Sequence, residues 1–176
     1  MIGPIKEKAA KFIINQKLKE HKFSELDFSR IFKRSYSYLV LMPKDDKDFR
    51  FAVEVLNFLK ESKKNVTAMT DDFRVSLLPT AFKVSSVGHG INDKTKLELP
   101  AKKFLNQLKK VQFDVVIDTN RQEVLFYNFI ANVINSPVRI GFSGKNADKY
   151  FNLQVANNKN EPDISYQNLL NCLKMF

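Results

Sequence analysis

The chain has 176 residues, 44% of them hydrophobic, with sixteen Phe and no Trp, a composition typical of a globular domain and not of a disordered chain. No apolar stretch approaches the roughly 20 residues that a membrane span requires, and the run at 2–5 is too short for a cleavable signal. A single cysteine, Cys172, excludes an internal disulfide and a thiolate zinc cluster, which favours a cytoplasmic protein.

The net charge of +10 is concentrated at the start of the chain, because residues 1–34 hold nine Lys or Arg against four Asp or Glu. Ile5, Ala9, Phe12 and Ile13 predict an apolar stripe on a basic amphipathic helix. Two interpretations remain open: the segment binds an anionic membrane or ligand, or it packs its stripe on the domain. Nucleic acid is disfavoured, since no recognised nucleic-acid motif accompanies the charge.

From residue 35 onward the pattern alternates between strand and helix. Strands are predicted at 38–42, 65–70, 82–87, 113–118 and 138–142, and helices after 48, after 100, at 123–134 and at 163–176. The β-branched run Val115, Val116, Ile117 does not alternate with polar residues, which indicates a strand buried on both faces of a parallel sheet.

This alternation predicts an α/β fold, a Rossmann-like three-layer α/β/α sandwich with a mostly parallel sheet. The predicted organisation is a basic helical extension over 1–34, the Rossmann-like domain over 35–160, and a C-terminal helix over 161–176 that packs on it. Cys172 shares the apolar face of that last helix with Leu169 and Leu173, which predicts a small core residue.

One long stretch resembles a known family. It is FDVVIDTNRQEVLFYNFIANVINSPVRIGF at 113–142, continued by YFNLQV at 150–155. This order is similar to the latter half of the N-terminal domain of family 9 glycosyltransferases, the lipopolysaccharide heptosyltransferases. Their pattern is a strand ending FDxVIDLQ, an apolar helix, PxRIGF and a tyrosine-asparagine segment. The resemblance runs with decreasing clarity from about Tyr38 to the C-terminus.

The resemblance implies one half of a GT-B enzyme of cell-envelope glycan synthesis. In that family the N-terminal domain faces a lipid-linked sugar acceptor and the C-terminal domain binds the nucleotide-sugar, with metal-independent chemistry. The helix at 163–176 falls about where the family crosses to its second domain, so a separate donor-binding domain or a homo-oligomer is an expected partner. The alternative is a non-catalytic binding or assembly module, at an anionic membrane surface such as the inner membrane face, so enzymatic activity is left open.

The loop LMPKDDKDF at 41–49 is the candidate catalytic loop. The family has a Gly-Asp pair here whose Asp is the proposed base, and the resemblance puts Asp48 at the Asp and Lys47 at the Gly. A base at this position would deprotonate the acceptor hydroxyl during transfer. Lys47 adds bulk and a cation able to pair with Asp48. The alternative is that the Asp residues of this loop only favour the helix N-terminus.

Further polar residues follow the predicted strands, at the sheet edge where open α/β folds bind ligands. The candidate ligand-binding residues, with Lys47, are Asp72, His89, Thr119, Asn120, Arg121 and Lys145. Arg121 and Lys145 suit a phosphorylated or acidic sugar; Arg121 alternatively caps a turn or pairs with Asp118. His89, between two glycines, is more typical of an exposed turn. Two histidines without paired spacing predict no metal site, and no cofactor is expected.

Overall fold

A single parallel sheet forms the centre of the computed structural model, which describes residues 3–18, 27–158 and 160–175. Its strands are β1 (Ser37–Leu41), β2 (Asn65–Asp71), β3 (Val87–His89), β4 (Val115–Asp118), β5 (Val138–Phe142) and β6 (Leu153–Val155). They lie in the order β3-β2-β1-β4-β5-β6, and every neighbouring pair is parallel. This is the strand order of the classic dinucleotide-binding folds.

Helices cover both faces of the sheet. They are α1 (Pro4–Leu18), α2 (Phe28–Arg34), α3 (Asp46–Glu61), α4 (Thr80–Lys83), α5 (Lys102–Leu108), α6 (Leu125–Val133), α7 (Ala147–Tyr150) and α8 (Pro162–Lys174). Side chains of α2, α3, α4 and α8 form one core cluster with alternate strand residues, and those of α1, α5, α6 and α7 form the other with the intervening ones. The predicted three-layer α/β/α sandwich is therefore confirmed.

Strand β4 lies at the centre of the sheet, as its sequence predicts. It pairs with β1 on one side and β5 on the other, and all four of its residues are buried. Val115 and Ile117 point into one core cluster and Val116 into the other. A strand buried on both faces cannot alternate apolar with polar residues, which is why this run is continuous.

The predicted strand at 82–87 is wrong. Residues Thr80–Lys83 form the short helix α4, and β3 begins only at Val87. Val84 is 96% exposed, so its β-branched side chain gains nothing from a sheet position. The hydroxyls of Ser85 and Ser86 donate hydrogen bonds to the carbonyls of Phe82 and Lys83, each three residues earlier. Such local bonds stabilise a turn in place of a strand.

The predicted first helix is present, but only part of its predicted stripe packs on the domain: Ile13 contacts the core cluster and Ala9 is half-buried. Helix α1 buries Ala10 and Ile14 against the sandwich, whereas Ile5 is 83% and Phe12 is 63% exposed. Contacts of α1 with α6 fix this orientation. The rest of the 1–34 segment includes helix α2, and residues 1–2 and 19–26 lie outside the described part of the chain.

At the other end of the chain, α8 packs on α3 through Leu169 and Leu173, and the half-buried Cys172 packs against the same core cluster.

None of the helices in the described ranges is both long enough and apolar enough to cross a bilayer.

Candidate functional site

The junction between β1 and β4 is the switch point of the sheet, where the strand order reverses. The connections from these neighbouring strands leave in opposite directions, and open α/β sheets bind their ligands in the resulting crevice. Here an ion pair fills it. Arg121, after β4, donates from Nε to Asp48 Oδ2 at 2.9 Å and from Nη2 to Asp48 Oδ1 at 3.0 Å. The Asp48 side chain is 4% exposed and that of Arg121 15%.

Further hydrogen bonds tie the surrounding loops together. Asn120 accepts from the backbone N–H of Lys44, in the loop after β1, at 3.0 Å. Arg121 also donates from Nη1 to the carbonyl of Asn158, after β6, at 3.0 Å. The Tyr166 hydroxyl, on α8, donates to the carbonyl of Thr119 at 2.6 Å. The crevice is thus closed by the protein's own polar groups.

Beside this closed crevice, a cleft opens at the carboxyl ends of β4 and β5. It encloses about 410 Å³ including its open mouth. Asp118 and Asn128 are the most deeply buried polar residues of its lining. The remaining lining comes from the loops after both strands and from α7: Asn120, Arg121, Gln122, Glu123, Phe142, Ser143, Gly144, Lys145, Asn146, Ala147, Tyr150 and Phe151.

Asp118 is the last residue of β4 and only 3% exposed. Its Oδ1 accepts from the backbone N–H of Asn120 at 2.9 Å and from Nδ2 of the same residue at 2.7 Å. Its other carboxylate oxygen has no hydrogen-bond partner among the described residues. Burial raises the pKa of Asp118 to about 7, although the Asn120 hydrogen bonds oppose the shift. Near neutral pH this carboxyl can therefore accept or donate a proton.

Asn128 is the second polar group deep in the cleft. It lies on α6, is 2% exposed, and its side-chain amide has no partner within the described part of the chain. The amide atoms of Asn128 are not among the enclosed, unpaired polar atoms of the described residues, so they can bond to water in the cleft or to a ligand that displaces it. Asp118 and Asn128 offer an acceptor and a donor to hydroxyl groups of a ligand that enters the cleft.

The rim of the cleft is charged and is partly built by the N-terminal helix. Glu123 accepts hydrogen bonds from Lys11 of α1 at 2.9 Å, from Asn146 at 3.1 Å and from the Tyr150 hydroxyl at 3.3 Å. Lys145 is exposed at the same rim. Lys11 is already bound to Glu123, whereas Lys145 is exposed, so Lys145 is better placed than Lys11 to bind an acidic group of a ligand.

Among the predicted site residues, Asn120, Arg121 and Lys145 come together in this cleft, and Asp48 is linked to it through Arg121. Lys47 is exposed, and the cation that pairs with Asp48 is Arg121, which engages both carboxylate oxygens, and not Lys47. The alternative that Arg121 pairs with Asp118 is also wrong, because Arg121 pairs with Asp48.

Thr119 does not line the cleft. It is fully buried, and its hydroxyl donates to the carbonyl of Leu41 at 2.7 Å. Asp72 lies two strands away, at the end of β2, where its carboxylate occupies the space that a side chain at Gly88 or Gly90 would fill.

The expectation that His89 is an exposed turn residue is wrong. It ends β3, is fully buried, and packs its ring 4.4 Å from that of Phe126. Its Nε2 lies 2.9 Å from the Tyr127 hydroxyl and its Nδ1 3.5 Å from Asp71 Oδ1. Burial lowers its pKa to about 4, so the ring is neutral at physiological pH. The backbone of His89 still pairs with that of Asp71 in the sheet, and this strand position directs the His89 ring into the core.

The cleft residues that the sequence analysis does not select include the titratable or deep polar groups Asp118, Glu123 and Asn128. Asn128 has a signal in the sequence, because it is a polar residue within the almost wholly apolar helix α6. Asp118 ends the clearest strand of the chain and so had to reach the ligand-binding edge. Across the described residues, no group of three or more His, Cys, Asp or Glu side chains is arranged to hold a metal ion.

The fold and this site define an open α/β domain with a small polar cleft beside its closed switch point. No family model, no curated protein and no solved structure matches the chain.

Proposed function

We propose that this chain is a domain of the family 9 glycosyltransferase type, related to the acceptor side of the lipopolysaccharide heptosyltransferases, and that it binds a sugar without transforming it. The support is the sequence resemblance at 113–142 together with the Rossmann-like strand order. In this proposal the domain works at the cytoplasmic face of the membrane that carries a lipid-linked glycan.

The observation that carries sugar binding is the pair of deep polar groups in the cleft. Asp118 and Asn128 are both buried, and neither the second Asp118 oxygen nor the Asn128 amide has a partner among the described residues. Ligand hydroxyls can donate to the carboxylate and accept from the amide in place of water. Tyr150 and Phe151 give the cleft apolar walls, and Lys145 provides a cation for a phosphorylated or acidic sugar.

Binding without catalysis follows from the state of Asp48. A general base needs a lone pair directed at the hydroxyl that it deprotonates. Both oxygens of Asp48 accept from Arg121, and the carboxylate is almost fully buried. For Asp48 to act as the base of sugar transfer, Arg121 would first have to leave a charge-assisted, bidentate pair.

The experiment that tests the proposal separates binding from stability. Asn128→Leu removes an amide that has no protein partner, so we expect unchanged or higher stability together with loss of sugar binding. Binding is measured by saturation-transfer NMR with mannose, mannose 6-phosphate and glucuronic acid, and stability by urea unfolding. Asn171→Leu, on the exposed side of α8, is the matched control and should bind as the wild type does.

Two results would contradict the proposal. One is an Asn128→Leu protein that binds these sugars as well as the wild type. The other is a wild-type protein that binds none of the three sugars at millimolar concentration.

The closed switch point also predicts weak nucleotide binding. The loop after β1 has no glycine for close phosphate approach, and Asp48 with Arg121 occupies the crevice. Titration calorimetry with ADP- and UDP-sugars should therefore give no heat of binding. Micromolar affinity for either nucleotide-sugar would show that the crevice opens.

A further inference from the structure

Helix α1 has two apolar faces, and only one of them is covered. At about 100° per residue, Ile5 and Phe12 lie within roughly 20° of each other and nearly opposite Ala10 and Ile14. Ala10 and Ile14 are buried against the sandwich, and α1 contacts α6. Ile5 is 83% and Phe12 63% exposed. The second apolar face therefore points away from the protein.

The charges on α1 divide in the same way. Lys11 bonds to Glu7 at 2.8 Å and to Glu123 of the cleft rim at 2.9 Å, which anchors the helix. Lys6, Lys8 and Lys17 are exposed and have no ion-pair partner within the described part of the chain. Lys8 lies about 40° from Phe12 around the helix axis, whereas Lys6 lies about 100° from Ile5, outside the face that Ile5 and Phe12 share. The outward face thus combines two large apolar side chains with the exposed Lys8, and Lys6 and Lys17 add positive charge elsewhere on the helix.

We propose that this outward face of α1, formed by Ile5, Lys8 and Phe12, docks on the surface of an anionic lipid bilayer. Apolar side chains that enter the headgroup boundary, flanked by lysines that reach the phosphates, are the pattern of helices that lie in the membrane plane. The net charge of +10 adds a longer-range attraction to the same surface.

The choice of a lipid surface over a protein partner rests on the size and charge of the face. Two large apolar side chains are too few for the core of a standard protein interface, which buries about 800 Å² per partner. A bilayer needs no shape complementarity and gains from each lysine near its anionic surface. Membrane docking through this face does not depend on what the cleft binds, so the docking proposal can be tested independently of the proposed sugar binding.

The experiment is vesicle sedimentation of the full chain with 70:30 phosphatidylcholine–phosphatidylglycerol and with pure phosphatidylcholine. We expect pelleting with the anionic vesicles at low salt and its loss at about 0.5 M salt, where charges are screened within a few ångströms. The double substitution Ile5→Ser with Phe12→Ser should lower the partition coefficient about tenfold or more, because it removes two large apolar side chains from the contact. Ile91→Ser with Val84→Ser is the matched control, since both residues are highly exposed and lie outside α1.

A second pair of variants tests the charge. Lys8→Glu should weaken binding to anionic vesicles several-fold more than Lys110→Glu, which makes the same change in net charge at an exposed position on another element. Equal partitioning of the double serine variant and its control would overturn the proposal. So would binding to pure phosphatidylcholine as strong as to the anionic vesicles, or a shift from dimer to monomer by the double variant in sedimentation equilibrium, which would assign the face to self-association.

Discussion

The ion pair between Asp48 and Arg121 makes a quantitative prediction about stability. Asp48→Asn keeps the shape of the side chain but removes the charge that faces the Arg121 guanidinium, which is 15% exposed. Breaking a buried pair by removing one partner costs about 3–5 kcal/mol. Both groups are less than a third exposed, so solvent screening reduces this only slightly. For a chain of 176 residues, that loss lowers the melting temperature by roughly 6–15 °C.

The matched control is Asp163→Asn. Asp163 also lies in the first turn of a helix, but it is exposed, so its substitution measures the helix-end effect alone, about 0.3–1 kcal/mol. Urea unfolding of both variants and the wild type gives the difference directly. If Asp48→Asn costs no more than Asp163→Asn, the ion pair contributes nothing measurable, and Asp48 is only a helix-end charge.

Three further substitutions test the cleft and the sheet. Because burial raises the pKa of Asp118 to about 7, the folded protein binds this proton more tightly than the unfolded chain does, and stability should fall as pH rises from about 4 to 7. Asp118→Asn should remove that slope and raise the free energy of unfolding at pH 8 by up to roughly 4 kcal/mol; an unchanged pH profile in urea unfolding would refute it. In the Asp118→Asn protein, the remaining pH dependence of stability should have the opposite sign. Burial lowers the pKa of His89 to about 4, so stability should fall as pH drops from about 6.5 to 4. Gly141→Ala should cost roughly 1–3 kcal/mol in the same assay, because an added Cβ would overlap the ring of Phe151; a neutral result would mean that the ring moves freely. Val116→Asp buries an unpaired charge in the central strand, so circular dichroism should show no cooperative melting of this variant. A soluble variant that melts cooperatively would contradict the placement of Val116 in the buried core.

The fold was predictable because its strongest signals are local and agree with one another. A strand buried on both faces needs continuous β-branched residues, as at Val115–Ile117, and a helix buried all round needs an almost wholly apolar sequence, as in α6. The strand predicted at 82–87 failed because Val84 is exposed in a turn. β-propensity describes a half-buried sheet surface and carries no information on a valine that faces water.

The site was less predictable because it depends on contacts between distant parts of the chain. Arg121 and Asp48 are 73 residues apart, and no local pattern says which carboxylate an arginine will meet. The same applies to the face of α1, whose two apolar sides are equally consistent with its sequence until Lys11 meets Glu123. The position of Asp118 at a strand end was readable, whereas the burial that raises its pKa was not.

The short outer strands of the sheet limit how this protein can meet others. Strands β3 and β6 have only three residues each, so the sheet presents few unpaired backbone groups at either edge. Edges of that length are poor templates for an added strand, which disfavours both edge-to-edge aggregation and recognition of extended peptides by strand addition. A partner of this domain must therefore be held by side chains, on helix faces or at the carboxyl edge, and its affinity should respond to single side-chain substitutions there.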